Sequence, residues 1–504
     1  MMMVLKLSAQ TMNLDTLQQV KQLAYAKEYA KALSILKMYR SRHTENISAL
    51  RLNLTILYWD GQIDQTRQGY ESALKKYPEA YGLRLDYARF LYELNDLNKA
   101  REQLEEVIKS DTVNLEAKTL LGIIYYWHGK PKEARVLLNK VLEKKPDDLT
   151  VRYFLSEINA FLAPYLTMKS GYYSDQQPIK KIVSTAESGI YYSKELSPYL
   201  KVQTQQFLNT HANTSILAGN RSRLFHSTLT IDISAGFTNF PSTGNSIKWM
   251  GGVIIAQKIT RNLSLGFLAE HKPYFYTLSS LQTPVTESDY FISLSWGRDN
   301  TNRNSKKVSF WDLKNWNGKA NAGVQNYMDA NTVQSAYAWV MCPSVVLNKL
   351  NIRLGYSYSF NNTQSLRYTS ALPLNTVLSE WTSQSSIKGI YNPYFTPIHQ
   401  QINALIGSVS YSASKSLQFL VKGNIGFNAS AQAPYIYLQK NGSGETDFDT
   451  GLAYKKYTPF QINASATWVV SPRLTLETSY TYTRAFFFDS QLIDVGLTYR
   501  FIHE

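Results

Sequence analysis

Cysteine is almost missing from this sequence: Cys342 is the only one in 504 residues. An intrachain disulfide and a thiolate metal cluster are thereby excluded. Its setting, "AWVMCPSVV", is apolar and has no histidine nearby, which reads as a small hydrophobe rather than a nucleophile. Long hydrophobic runs are missing too. No stretch approaches the ~18 apolar residues that a membrane-spanning helix needs. Barrel strands escape that exclusion, because their alternating signal is spread over many short segments. Against these absences stand 36 Tyr and 9 Trp, rings that are enriched where membranes meet water. The opening residues 1–12, "MMMVLKLSAQTM", read as a disordered start or as the remainder of a signal segment whose true start lies upstream.

From Asn13 the chain repeats itself every 34 residues, with further copies beginning at Ile47, Tyr81 and Leu115. Position 20 of the copies is Ala32, Thr66, Ala100 and Ala134, and position 8 is Val20, Leu54, Ala88 and Gly122. Small residues at these places let two helices approach closely. Position 24 is Leu36, Tyr70, Leu104 and Leu138, and Pro78 and Pro146 share position 32. This period and pattern resemble the tetratricopeptide repeat, a helix–turn–helix unit that stacks into a solenoid with one continuous core. Residues 149–162, "LTVRYFLSEINAFL", read as a capping helix, so the all-α domain spans 13–162. Tyr58, Tyr92 and Tyr126 recur at position 12, followed by Trp59, Glu93 and Trp127. They are candidates for an aromatic groove that grips a peptide or a sugar; packing between helices accounts for the same spacing.

After Pro164 the period changes from helical to two. Ile352, Leu354, Tyr356, Tyr358 and Phe360 alternate with Arg353, Gly355, Ser357 and Ser359, and 263–272, 417–427 and 460–468 alternate likewise. These segments run nine residues or more, and their polar face is mostly Ser, Thr, Asn, Gln and Gly. That length suits a tilted strand crossing hydrocarbon, with lipid outside and water within. Short turns at "KELSPY", "AQKITRNLS", "LNKLNIR", "SASKSLQ" and "VVSPRLT" interleave with long polar connections at 274–286, 361–397 and 429–456. The expected fold is therefore an α + β two-domain chain, a repeat solenoid followed over 164–504 by a transmembrane antiparallel β-barrel. The count is about 16 strands, or 14 without the weak pair 209–219 and 222–237. The stretch 298–315 is too long for a tight turn. At the end of the chain, Asp494, Gly496, Tyr499 and Phe501 fit the terminal-strand signal of bacterial outer-membrane barrels.

Repeats followed directly by such a barrel resemble the exopolysaccharide-export porins and the YaiO-like barrels. The resemblance implies a bacterial outer-membrane pore with periplasmic repeats, passing a polysaccharide, seated in outer-membrane lipid by the barrel-assembly machinery. The repeats would dock periplasmic protein partners. A plugged anchor for a periplasmic complex is the alternative.

Charge bears on the cargo. Residues 161–504 hold 29 Lys+Arg against 18 Asp+Glu. Alternation turns Lys201, Lys248, Lys272, Arg353, Lys422 and Arg500 inward, with Asp232, Glu270, Glu477, Asp494 and Glu187. Such an excess favours anionic solutes, although cross-strand pairing and loops account for the same composition. No cofactor, metal or nucleic acid is expected, and no enzymatic activity. The rival enzyme reading is a lipid hydrolase at the rim, with His271 as base beside Ser279 and Ser280.

Overall fold

A computed structural model describes residues 16–502 apart from 178, 209–211, 225–227, 241–245, 261, 298–314, 382–385 and 487. The long connection at 298–315 thus lies almost wholly outside the described residues, as do residues 1–12. The chain divides into two compact units, Met1–Ile158 and Asn159–Glu504.

The first unit is made of helix pairs. Residues 16–25 form α1, followed by α2 (Tyr29–Arg42), α3 (Ile47–Trp59), α4 (Ile63–Lys76), α5 (Tyr81–Glu93), α6 (Leu97–Ser110), α7 (Leu115–Trp127), α8 (Pro131–Leu142) and α9 (Leu149–Leu162). The 34-residue period is visible in the backbone itself. Lys27, Gly61, Asn95 and Gly129, each at position 15 of its copy, turn the chain between paired helices with φ of 64°, 83°, 60° and 71°. Glycine and asparagine tolerate this left-handed region; lysine does not favour it. Positions 8, 20 and 24 form the core: Val20, Ala32, Leu36, Ala88, Ala100, Leu104, Ala134 and Leu138 are fully buried. In the last copy the fit is tight: at Gly122 a Cβ would stand 2.8 Å from Leu138 Cγ. The last residue of a copy caps the next helix. Asn46 accepts from Ala49 N, Asn114 from Ala117 N and Asp148 from Val151 N. Ala80 occupies the same place before α5 and has no side chain to do so.

The second unit is a closed antiparallel barrel. Its first eight staves are β1 (Tyr165–Asp175), β2 (Lys180–Gly189), β3 (Pro198–Phe207), β4 (Ala212–Leu224), β5 (Leu229–Phe240), β6 (Ser246–Thr260), β7 (Leu263–Pro273) and β8 (Thr286–Trp296). Then come β9 (Asn317–Tyr327), β10 (Thr332–Met341), the short β11 (Val345–Leu347), β12 (Leu350–Thr363), and a small loop sheet of β13 (Tyr368–Ser370) and β14 (Gly389–Tyr391). The rest are β15 (Ile398–Ser412), β16 (Leu417–Lys440), β17 (Thr446–Tyr457), β18 (Phe460–Ser471), β19 (Leu474–Arg484) and β20 (Asp489–Arg500). Two short helices, α10 (Leu278–Gln282) and α11 (Leu374–Glu380), lie in connections. Setting aside the short β11 and the outlying β17, sixteen staves close the ring. The weak pair at 209–237 proves to be the staves β4 and β5. The ring closes where β20 pairs with β1, from Tyr165↔Arg500 to Asp175↔Ser490. Residues 429–456, expected as a long polar connection, take the form of a hairpin. Beyond Ala429, β16 leaves β18 and continues as a hairpin with β17.

Side chains alternate across the wall. Ile216, Ile233, Phe237, Trp249, Ile292, Leu354, Leu405, Phe427, Ile493 and Val495 stand exposed on the outside. An apolar belt of this extent is far larger than the patches a soluble surface carries. The turns after β6, β15 and β18 lie at the end where the chain enters β1 and leaves β20. The connections 274–285 and 364–397 lie at the opposite end, together with short turns such as 328–331; the β8–β9 connection, between Trp296 and Asn317, is a long one at the first end.

Candidate functional site

The lumen is the candidate site, and its two walls differ. On the wall formed by β1 to β8, three cations are matched by acids. Arg221 of β4 reaches Glu187 at 2.9 Å and Asp232 at 3.0 Å, with its guanidinium 4.1 Å above the Tyr199 ring. Tyr165 and Tyr199 donate to the same two carboxylates. Lys169 meets Asp494 at 3.3 Å, and Asp494 fills the space beside Gly171 that a side chain there would need. Lys272 lies 2.7 Å from Asp289, 3.1 Å from Glu270 and 3.7 Å from Glu287. Asp289 and Glu287 are each only 4% exposed. A cation surrounded by three acids does not attract anions, so Lys272 drops out of the expected cationic lining. Arg500 is occupied as well: it donates to the Ala160 carbonyl at 3.2 Å. Lys201 stands directly across from Glu187 in the β2–β3 register. Lys248 faces inward opposite Thr238, and Glu477 faces inward opposite Gly496.

The other wall carries cations that stay unpaired. Lys319 (β9), Arg353 (β12) and Lys422 (β16) line one cavity of about 750 Å³ with Tyr337, Trp339, Asn424, Gln461, Asn463 and Thr481. None of these three cations forms an ion pair among the described residues. Arg353 Nε, Asn317 Oδ1 and Asn321 Oδ1 are buried without a hydrogen-bond partner. The register explains the spacing. Ser408 sits opposite Arg353 on one side and Lys422 on the other, which sets the two cations two strand spacings, roughly 10 Å, apart. Lys319 pairs across the sheet with Trp339.

Asn424 and Gln461 belong also to a second cavity of about 400 Å³ nearer the end that carries connections 274–285 and 364–397, lined by Tyr274, Tyr276, Phe395, Tyr457 and Phe460. One track of aromatics and amides therefore climbs this wall. Above it, residues 274–276 cross the interior. Phe275 packs on Phe207 and Phe240, while Tyr274 packs on Tyr327 and Tyr394. Lys181 donates to Gln205 and to the Phe275 carbonyl, with the rings of Tyr173, Phe207 and Tyr276 around it at 5.2 to 5.4 Å. The connection 364–397 joins in: Thr277 donates to the Pro393 carbonyl, and Tyr394 stacks on Tyr327 at 3.6 Å. Asp329 holds the two together, accepting from Tyr394 at 2.6 Å and from Arg367 at 2.7 Å. Burial works to raise its pKa, but the hydrogen bonds from Tyr394 and Arg367 outweigh burial and hold it low.

Lys319 and Arg221 are lumen-facing side chains that alternation missed. "NGKANAGVQNY" has too few apolar residues to announce a strand, and Arg221 falls in the turn expected between 209–219 and 222–237, whereas β4 runs through it. His271 stacks on Trp249 at 4.0 Å and meets Ser288 at 2.8 Å, on the outer face; Ser280 is buried as part of the capping box of α10. Neither Ser279 nor Ser280 is paired with this imidazole. In the terminal strand, Tyr499 and Phe501 meet edge-on at 5.0 Å, and Phe501 N donates to the Pro164 carbonyl.

The repeat aromatics do not form one ladder. Trp59 pairs with Tyr25, and Trp127 stacks on Tyr92 and meets Phe154. Tyr58 packs inward against Phe90, and Tyr126 packs against Phe154. Burial and the Glu93 carboxylate push the Tyr58 hydroxyl up to about 12. Trp59 and Trp127 stay 42% and 47% exposed, with Glu93 where a third indole would stand.

Residues 57–124 match the tetratricopeptide repeat family model, and no curated protein matches the chain. Among solved structures, a bacterial polysaccharide outer membrane secretin is similar with TM-score 0.47 and 9% identity, over 68% of this chain and 99% of its own. MamA from Desulfovibrio magneticus RS-1, from residue 41 to its end, shares 16% identity over 29% of this chain and 83% of its own, with TM-score 0.27. A tetratricopeptide repeat protein from Parabacteroides merdae shares 17% identity over 29% of this chain and 59% of its own, at TM-score 0.27. The chain joins tetratricopeptide repeats to a closed sixteen-stave β-barrel.

Proposed function

We propose that this chain is a non-enzymatic channel of a bacterial outer membrane that assists export of a polysaccharide, with its repeats in the periplasm docking a protein partner. The apolar belt supports lipid as the outer surrounding. The observation that carries the cargo reading is the track from Trp339 and Tyr337 to Tyr457 and Phe460, in which the two cavities share Asn424 and Gln461. Flat rings offer faces to the apolar side of a pyranose, and amides meet its hydroxyls. Planar-bilayer recordings of the full chain test it: conductance in discrete openings, reduced by added oligosaccharide, is expected. Conductance indifferent to every sugar refutes the cargo. A second reading has its own support. Because 274–276 span the interior, a plugged barrel that only anchors the repeats would show no conductance at all.

A further inference from the structure

Three cations of the lumen share one cavity without a carboxylate among the described residues, and that clustering points to a ligand. On the β1–β8 wall Arg221, Lys169 and Lys272 each have a carboxylate within 3.3 Å. Lys319, Arg353 and Lys422 have none among the described residues, although all three line one cavity. Lys201 (β3) and Lys248 (β6) also form no ion pair among the described residues; what sets Lys319, Arg353 and Lys422 apart is that all three line one cavity beside Trp339. Arg353 Nε is buried with no acceptor among the described residues. The surroundings also decide against a bare inorganic anion. Trp339 and Tyr337 share the cavity, and a cavity of about 750 Å³ is the size of a site for an organic ligand.

We propose that Lys319, Arg353 and Lys422, with Trp339 and Tyr337, form a subsite for a negatively charged pyranose of the polymer. The ring stacks on the indole, and the anionic substituent lies between Arg353 and Lys422, over Ser408. This assignment rests on the lumen passing a saccharide and adds its charge class. A neutral polymer would stack equally well but offer the guanidinium no charge, and a cationic one would be repelled by all three side chains. The anion could be a carboxylate or a sulfate; both present acceptor oxygens to the same donors.

Isothermal titration of the full chain in detergent, with oligogalacturonate, a sulfated galactan oligosaccharide and cellohexaose, tests this. The two acidic sugars, or one of them, should bind at least about tenfold tighter than cellohexaose. Arg353→Gln and Lys422→Gln should each weaken the acidic sugar about tenfold, as expected for one charge-assisted hydrogen bond, and leave cellohexaose unchanged. Trp339→Ala should weaken acidic and neutral sugars alike. Ser408→Glu, which keeps both cations and supplies an internal counterion, should abolish the preference and keeps the test decisive if a charge-removing variant does not fold. Equal binding of acidic and neutral sugars overturns the subsite while leaving the channel reading intact. Conductance without any sugar binding overturns the subsite and the cargo; absence of both overturns the channel itself.

Discussion

Asp329 fastens the connection 364–397 to the β9–β10 turn, and replacing it should open the lumen. In Asp329→Asn the carboxylate that accepts from Tyr394 at 2.6 Å and from Arg367 at 2.7 Å becomes a neutral amide. The Arg367 pair is partly exposed, with side chains 30% and 35% accessible, so its loss amounts to about 0.5 kcal/mol. The phenol-to-carboxylate bond involves a charge and contributes about 1.5 kcal/mol more. Together these give about 2 kcal/mol, a shift of roughly 30-fold in the balance between fastened and released connection. The stacked Tyr327–Tyr394 rings remain in the variant and resist release. Single-channel recording at neutral pH should show longer or more frequent open intervals than the parent. Protonation should act in the same direction. Because the carboxyl is held below its ordinary pKa, its contribution is complete above the unfolded value of about 3.9 and is lost as pH falls through the lower folded value. Openings of the parent should therefore increase below about pH 4, and those of Asp329→Asn should not respond to pH in that range. Identical open intervals in parent and variant at neutral pH would refute the idea that this contact restrains the connection.

The repeats allow sharper stability tests, read as thermal or urea unfolding of the helical signal of the full chain. Ala80→Asn supplies the cap that Asn46, Asn114 and Asp148 provide elsewhere and should stabilise by about 1 kcal/mol; no gain would show that α5 starts differently. Lys27→Gly relieves a left-handed lysine and should add about 1 kcal/mol, whereas Asn95→Gly should change little. Leu104→Ala empties a fully buried position and should cost about 2 to 5 kcal/mol; a cost below about 1 kcal/mol would mean the solenoid core collapses around it.

The repeat arm was legible because each copy buries the same positions and turns at the same left-handed residue, so a short signal recurs four times. The closing strand was legible for another reason: Ile493 to Phe501 alternate without interruption, and both faces have chemical work to do. Alternation also fixes which way a side chain points, but not what it meets. Lys272 could be turned inward from its strand alone, yet its three carboxylates come from β7 and from the neighbouring β8. Lys319 lay hidden in a stave rich in Asn, Gly and Ala, and the extended hairpin of 429–457 passed for a loop because its Pro434 and polar residues break the pattern of two. The fastening at Asp329 joins residues 38 and 65 positions apart through connections that have no period at all. No regular pattern in the sequence carries such contacts.

Bilayer conductance of the full chain, recorded before and after addition of oligogalacturonate, tests the central claim most directly. The account predicts discrete openings that the acidic sugar shortens at lower concentration than cellohexaose does. A membrane that stays electrically silent, with the barrel verified as folded, would contradict it and leave a plugged anchor in its place.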